Sequence, residues 1–232
     1  MKSKLFTRSF ALLVLGQCSS LLGNYTLKFA LSMYVLEQTG SASIFAGLLA
    51  VAMLPTILLS PFGGILADRA NRRNVMVALD ALSGLSVLIA GFALSFQHDI
   101  AVIGVLLVVL SVLGAFESPT VQACVPQMLS GDNILRGNAV VSQVAAIASL
   151  ITPFFGSLFY TAFGIKPVFY AAVACFFITA LLEGFIRLNG QRSVQKMRLL
   201  TMVKEDFAVT THFLRRVQPN ILKLLLLAAL VS

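Results

Sequence analysis

Apolar positions along the chain gather into six long runs, at about 10–36, 43–66, 75–96, 100–122, 138–162 and 166–187, with short polar stretches between them. Each run holds 20 residues or more, enough for a helix to cross the roughly 30 Å hydrocarbon layer of a bilayer. The connection at 37–42 is short, polar and contains Gly40, and the turn around Gln97, His98 and Asp99 is equally tight. Links of this length make sequential helices antiparallel neighbours. The opening MKSKLFTR followed by an apolar run mimics a secretory signal. The run is too long for one and lacks a convincing small-residue cleavage site, so it reads as a retained first span.

Composition sharpens this pattern. The 232 residues are 58% hydrophobic and 11% charged, and contain no Trp; mean hydropathy is +0.93. A soluble domain carries about a quarter charged residues, so most of this chain has no water-facing surface to supply. The fold class expected is an all-α membrane protein. Cys18, Cys124 and Cys175 sit in or beside apolar runs without ligand spacing and read as small hydrophobes. No metal site, cofactor site, nucleophile triad or phosphate loop is expected, and the chain does not read as an enzyme. The sequon Asn24-Tyr25-Thr26 lies inside the first run, out of reach of glycosylation.

A net charge of +8 is compatible with a nucleic-acid partner, but its placement argues against one. In an alternating topology, 15 of the 17 basic residues fall on one side. They lie in the N-terminal segment, the second-to-third connection, the fourth-to-fifth connection and the segment after the sixth run. Lys166 is alone on the other side, and Lys28 is inside a span. This is the positive-inside pattern, with the N-terminus cytoplasmic in a cell inner or plasma membrane. The expected domain division is a six-helix bundle over 1–187, a basic, partly amphipathic cytoplasmic linker over 188–220, and a helix start over 221–232. The last run, ILKLLLLAALVS, holds 12 residues and rises only about 18 Å as helix. It therefore reads as a seventh span cut short.

The stretch Gly64-Ile65-Leu66-Ala67-Asp68-Arg69-Ala70-Asn71-Arg72-Arg73 resembles the signature loop between the second and third helices of the major facilitator superfamily. Gly64, Leu66, Asp68, Arg69, Arg72 and Arg73 fall on its characteristic positions. Asn71 replaces the usual Gly, and Asn also tolerates a left-handed turn. Phe116-Glu117-Ser118-Pro119, Val125-Pro126 and Asn138 resemble the drug-efflux branch that includes bacterial macrolide exporters and the enterobactin exporter. Ile151-Thr152-Pro153-Phe154-Phe155-Gly156 partly matches the exporters' antiporter motif, with Thr152 and Ser157 at usual glycine positions. The resemblance implies the N-terminal half of a 12-helix secondary transporter, with a six-helix C-terminal half as its missing partner. It also implies a gating latch of Gly64, Asp68, Arg69, Arg72, Arg73 and Asp80.

Polar residues inside the spans are candidates of their own. Gln17, Asn24 and Lys28 lie on one stripe of the first helix, as expected of a helix lining a water-filled cavity. Asn24 is the best placed for substrate contact, with interhelical hydrogen bonding as the alternative; Lys28 either serves the site or snorkels outward. Glu117 is expected to couple protons or substrate, or else to pair with Arg136 or the neighbouring Gln143. Asp80, an acid inside the third span, has Arg73 as its candidate partner, and Glu183 with Arg187 suggests a local ion pair. Pro55, Pro61 and Pro153, with Gly156, are expected to bend their helices. The function expected is proton-coupled efflux of small amphiphilic compounds by alternating access. A siderophore or lipid transporter, or a non-transporting membrane fragment, is the alternative.

Overall fold

Among the described residues, glycines with positive φ mark three of the chain reversals: Gly40 at 64°, Gly131 at 59° and Gly164 at 76°. L side chains avoid this region, so these three turns fall on glycine. In a computed structural model, the structure describes residues 5–94 and 99–188, the side chains of Pro61, Asp68 and Arg69 excepted. These residues form six helices: α1 (Arg8–Thr39), α2 (Ala42–Arg69), α3 (Arg72–Ala93), α4 (Asp99–Met128), α5 (Asp132–Phe163) and α6 (Ile165–Gly184). All six are long and apolar enough to cross a membrane. The expected linker and seventh span, at 188–220 and 221–232, lie outside the described residues except for Leu188.

Several helices outrun the apolar runs. In α4 and α5 the helix continues to Met128 and restarts at Asp132, where hydropathy places a loop. Hydropathy marks where lipid is, whereas a helix satisfies its own backbone and can continue into water. Thr7 caps α1 by accepting from the Phe10 N–H at 3.3 Å. Asn71 caps α3 by accepting from the Asn74 N–H at 3.4 Å. Asn71 has φ −69° and ψ 99°, so it is an extended N-cap residue rather than the left-handed turn residue expected from the motif.

Sequential order is not spatial order. The helix α2 packs on α4, α3 packs on α4 and α6, and α1 packs on α5 and α6. Glycines allow the closest approaches. A Cβ at Gly63 of α2 would lie 2.3 Å from the Ala115 carbonyl oxygen of α4, and one at Gly156 of α5 would lie 3.0 Å from Phe29 of α1. The helices run on through their prolines: α2 through Pro55 and Pro61, α4 through Pro119 and Pro126, α5 through Pro153. Each proline removes one intrahelical donor.

The core has two apolar clusters. One joins Leu27, Leu31, Val87, Leu107, Phe169 and Phe176. The other, nearer the α2–α3 loop, joins Phe10, Leu13, Met76, Cys124, Val125 and Ile186. On α1, α3, α4 and α6 the stretch between the two clusters is polar: Gln17 and Ser20, Asp80 and Ser83, Glu117 and Thr120, Thr179 and Glu183. By contrast α2 and α5 turn large apolar side chains outward, with Met53 64% and Leu150 79% exposed.

Candidate functional site

The polar layer brings three acids to one place. Ser20 Oγ of α1 donates to Asp80 Oδ1 of α3 at 3.0 Å and lies 3.5 Å from Glu117 Oε1 of α4. The Asp80 carboxyl is within hydrogen-bonding reach of Glu183 on α6. The Gln17 amide faces the carboxyls of both Glu117 and Glu183. Lys28, two to three turns along α1, acts electrostatically on Glu117 without forming a close ion pair among the described residues. Asp80 and Glu183 are fully buried and Gln17 is 6% exposed, while Asn24, Lys28 and Glu117 are half-buried. Asn24 Oδ1 is enclosed and has no hydrogen-bond partner. The result is a polar stripe on α1 that meets an acid on α4, inside an otherwise apolar bundle.

At the loop side, arginines bind backbone carbonyls. Arg72 donates from Nε to the Ala67 carbonyl at 2.6 Å and from Nη1 to the Ala123 carbonyl at 2.8 Å. The first oxygen lies in the last turn of α2, the negative end of its dipole, where a cation is favourable. The second ties the loop to α4. Arg73 Nη1 is 3.5 Å from the Ile186 carbonyl, just past α6. At the opposite end, the Tyr34 hydroxyl donates to Asp99 of α4, and the Tyr160 hydroxyl of α5 donates to Glu37 of α1.

Residues 13–232 match the family model described as Major Facilitator Superfamily. The chain belongs to the major facilitator superfamily. The superfamily is a class of transporters rather than enzymes, and this member is a multi-pass, all-α membrane protein. It is similar to Macrolide efflux protein A of Streptococcus pyogenes, with 23% identity over 75% of this chain and 43% of the relative. It is also similar to the uncharacterized MFS-type transporter YfiS of Bacillus subtilis, with 26% identity over 100% of this chain and 55% of the relative. A third relative is the multi-drug resistance efflux pump PmrA of Streptococcus pneumoniae, with 26% identity over 83% and 51%. The chain spans about half the length of the curated relatives it matches.

Within this superfamily member, the expected site residues separate into those that meet and those that do not. Gln17 and Glu117 come together around Ser20, Lys28 acts on Glu117 from farther along α1, and Asn24 lies on the same stripe. Gln143 and Arg136 are exposed on α5, so neither partners Glu117: the groups nearest its carboxyl are Ser20 and Gln17 on α1. The expected Asp80–Arg73 pair does not form, because Asp80 binds Ser20 and Arg73 turns to the Ile186 carbonyl. The expected Glu183–Arg187 pair does not form either. The helix ends at Gly184, so Arg187 is not one helical turn from Glu183; it is exposed, and its backbone meets Ser9.

Glu183 belongs to the buried polar layer, and Thr179, four residues before it on the same face, was the available signal. Gly64 borders open space, while Gly63 makes the close contact with α4. Asp68 and Arg69 lie at the end of α2, and their side chains are outside the described residues.

Proposed function

We propose that the chain forms one half of a secondary transporter that exports small amphiphilic compounds, with protons as the coupling ion. The observation that carries this reading is Glu117 of α4 set against Gln17 and Ser20 of α1, with Lys28 acting on it from farther along the stripe that also carries Asn24. Polar and ionisable groups inside a membrane bundle are costly and mark substrate or ion pathways. The names of the relatives, macrolide and multi-drug efflux proteins, support an amphiphilic substrate. In this reading Asn24 and Lys28 contact substrate and Glu117 exchanges the proton. The N-terminus is cytoplasmic, following the distribution of basic residues. The loop from Gly64 to Arg73 is the cytoplasmic latch between two rocking halves, and Asp80, buried on Ser20, stands apart from it.

The test is substrate accumulation in membrane vesicles carrying the whole protein, with dyes, macrolides and siderophores, with and without an imposed pH gradient. Gradient-dependent flux of an amphiphile is the expected result. Absence of gradient-dependent flux for every class would count against the proposal. An Asp68→Asn protein that transports at the normal rate would remove the latch role.

A further inference from the structure

Lys28 acts on the half-buried Glu117, whereas among the described residues the other two acids of the polar layer have no such cation. Asp80 and Glu183 are both 0% exposed, and their carboxyls lie within hydrogen-bonding reach of each other. Ser20 donates to one oxygen of Asp80. The other, Oδ2, has no N–H or O–H donor, and neither does either oxygen of Glu183. Gln17 is nine-tenths buried and its amide is turned toward this group, yet its Nε2 closes no hydrogen bond. Gly16 of α1 provides the space: a Cβ there would sit 3.5 Å from Glu183 Cγ and 3.9 Å from its Oε1.

Among the described residues, the charged and titratable neighbours offer no countercharge in contact. From α4 come Glu117, a like charge, and Cys124. Arg73, at the start of α3, reaches the Ile186 carbonyl. Arg72 binds the Ala67 and Ala123 carbonyls and acts, as Glu183 does, on Cys124. On α1, Arg8 is exposed and Lys28 acts on Glu117, and Arg187 beyond α6 is exposed. Two full negative charges facing each other in an apolar bundle are strongly unfavourable.

We propose that Asp80 and Glu183 form a buried proton site, holding one proton between their carboxyls, with Glu117 beside the pair but not sharing that proton. Binding converts two carboxylates and one H+ into a carboxylic acid hydrogen-bonded to a carboxylate, so the site carries one negative charge instead of two. No group of three or more His, Cys, Asp or Glu suited to a metal ion occurs among the described residues, and the competing occupant is a monovalent cation such as sodium.

Infrared spectroscopy of the purified chain at neutral pH tests this without any transport assay, so the outcome is independent of the export proposal. A protonated-carboxyl C=O band that shifts in D2O is expected. It should be lost in both Asp80→Asn and Glu183→Gln and kept in Glu117→Gln. A band absent from the wild type, or unchanged in both variants, overturns the proposal. Should either variant fail to fold, the wild type decides by its melting temperature. A fall as pH rises above neutral, with no response to sodium at fixed pH, supports the proton site. A pH-independent melt, or stabilisation by sodium, overturns it.

Discussion

The Gly63 Cα of α2 backs onto the Ala115 carbonyl of α4 so closely that an added Cβ would lie 2.3 Å from that oxygen. The carbonyl is unusual within its own helix. Its normal donor would be the N–H of residue 119, and Pro119 has none. The missing donor and the missing side chain thus fall at one point of contact between two helices.

Substituting this glycine separates packing from propensity. Gly63→Ala forces a backbone shift and is expected to lower stability by about 1–3 kcal/mol, the usual range for overpacking. Gly64→Ala meets nothing within 4 Å and is expected to be neutral, or stabilising by roughly 0.5–1 kcal/mol through helix propensity. Thermal unfolding of both variants in the same detergent checks the contrast; equal effects would contradict it.

Arg72 and Arg73 are adjacent but not equivalent. Arg72 holds two carbonyls on different elements at 2.6 and 2.8 Å, a task for a planar fork. Arg72→Lys is therefore expected to cost about 1.5–3 kcal/mol, the scale of hydrogen bonds to a charged group. Arg73→Lys, losing one 3.5 Å contact, should cost less than about 1 kcal/mol. The same unfolding assay ranks them, and a larger loss for Arg73→Lys would reverse the assignment.

Two phenols strap the far end of α1. Tyr160 reaches Glu37 and Tyr34 reaches Asp99. Tyr160→Phe keeps the ring and removes one charge-assisted bond, with an expected loss of about 1–2 kcal/mol. Tyr160→Phe in a Glu37→Gln background should cost less than in the wild type, and a double-mutant cycle measures the difference.

Glu117→Gln tests the proton role proposed for this residue. Transport driven by an imposed pH gradient is expected to fall at least about tenfold, equivalent to 1.4 kcal/mol, with protein levels unchanged. Substrate exchange without a gradient should persist. Unaltered gradient dependence would assign Glu117 a purely structural role.

The spans, their number and the loop carrying the superfamily signature were legible in the sequence because lipid imposes long apolar runs and polar turns. Side-chain partners were much less so. Ser20 binds Asp80 from 60 residues away, and no local spacing reveals which helices will adjoin. Sequence order sets Gln143 of α5 beside Glu117 of α4, yet α1 packs against α5 and supplies the groups around Glu117. The Glu183–Arg187 spacing suits a helix, but the helix stops at Gly184. Asp80 and Arg73 are seven residues apart, about 10 Å along the axis, and the arginine found a carbonyl at the end of α6 instead.

The polar seam between the two apolar clusters also acts as a ruler. Sliding α1, α3, α4 or α6 by one turn, about 5.4 Å, would drive a carboxyl, amide or hydroxyl into hydrocarbon-like packing and put an apolar side chain in its place. Each helix is thereby held at one depth relative to the others, as a single buried polar residue fixes register in a coiled coil. Motions of this bundle are consequently cheap when the four helices tilt as a block and expensive when one slips past its neighbours.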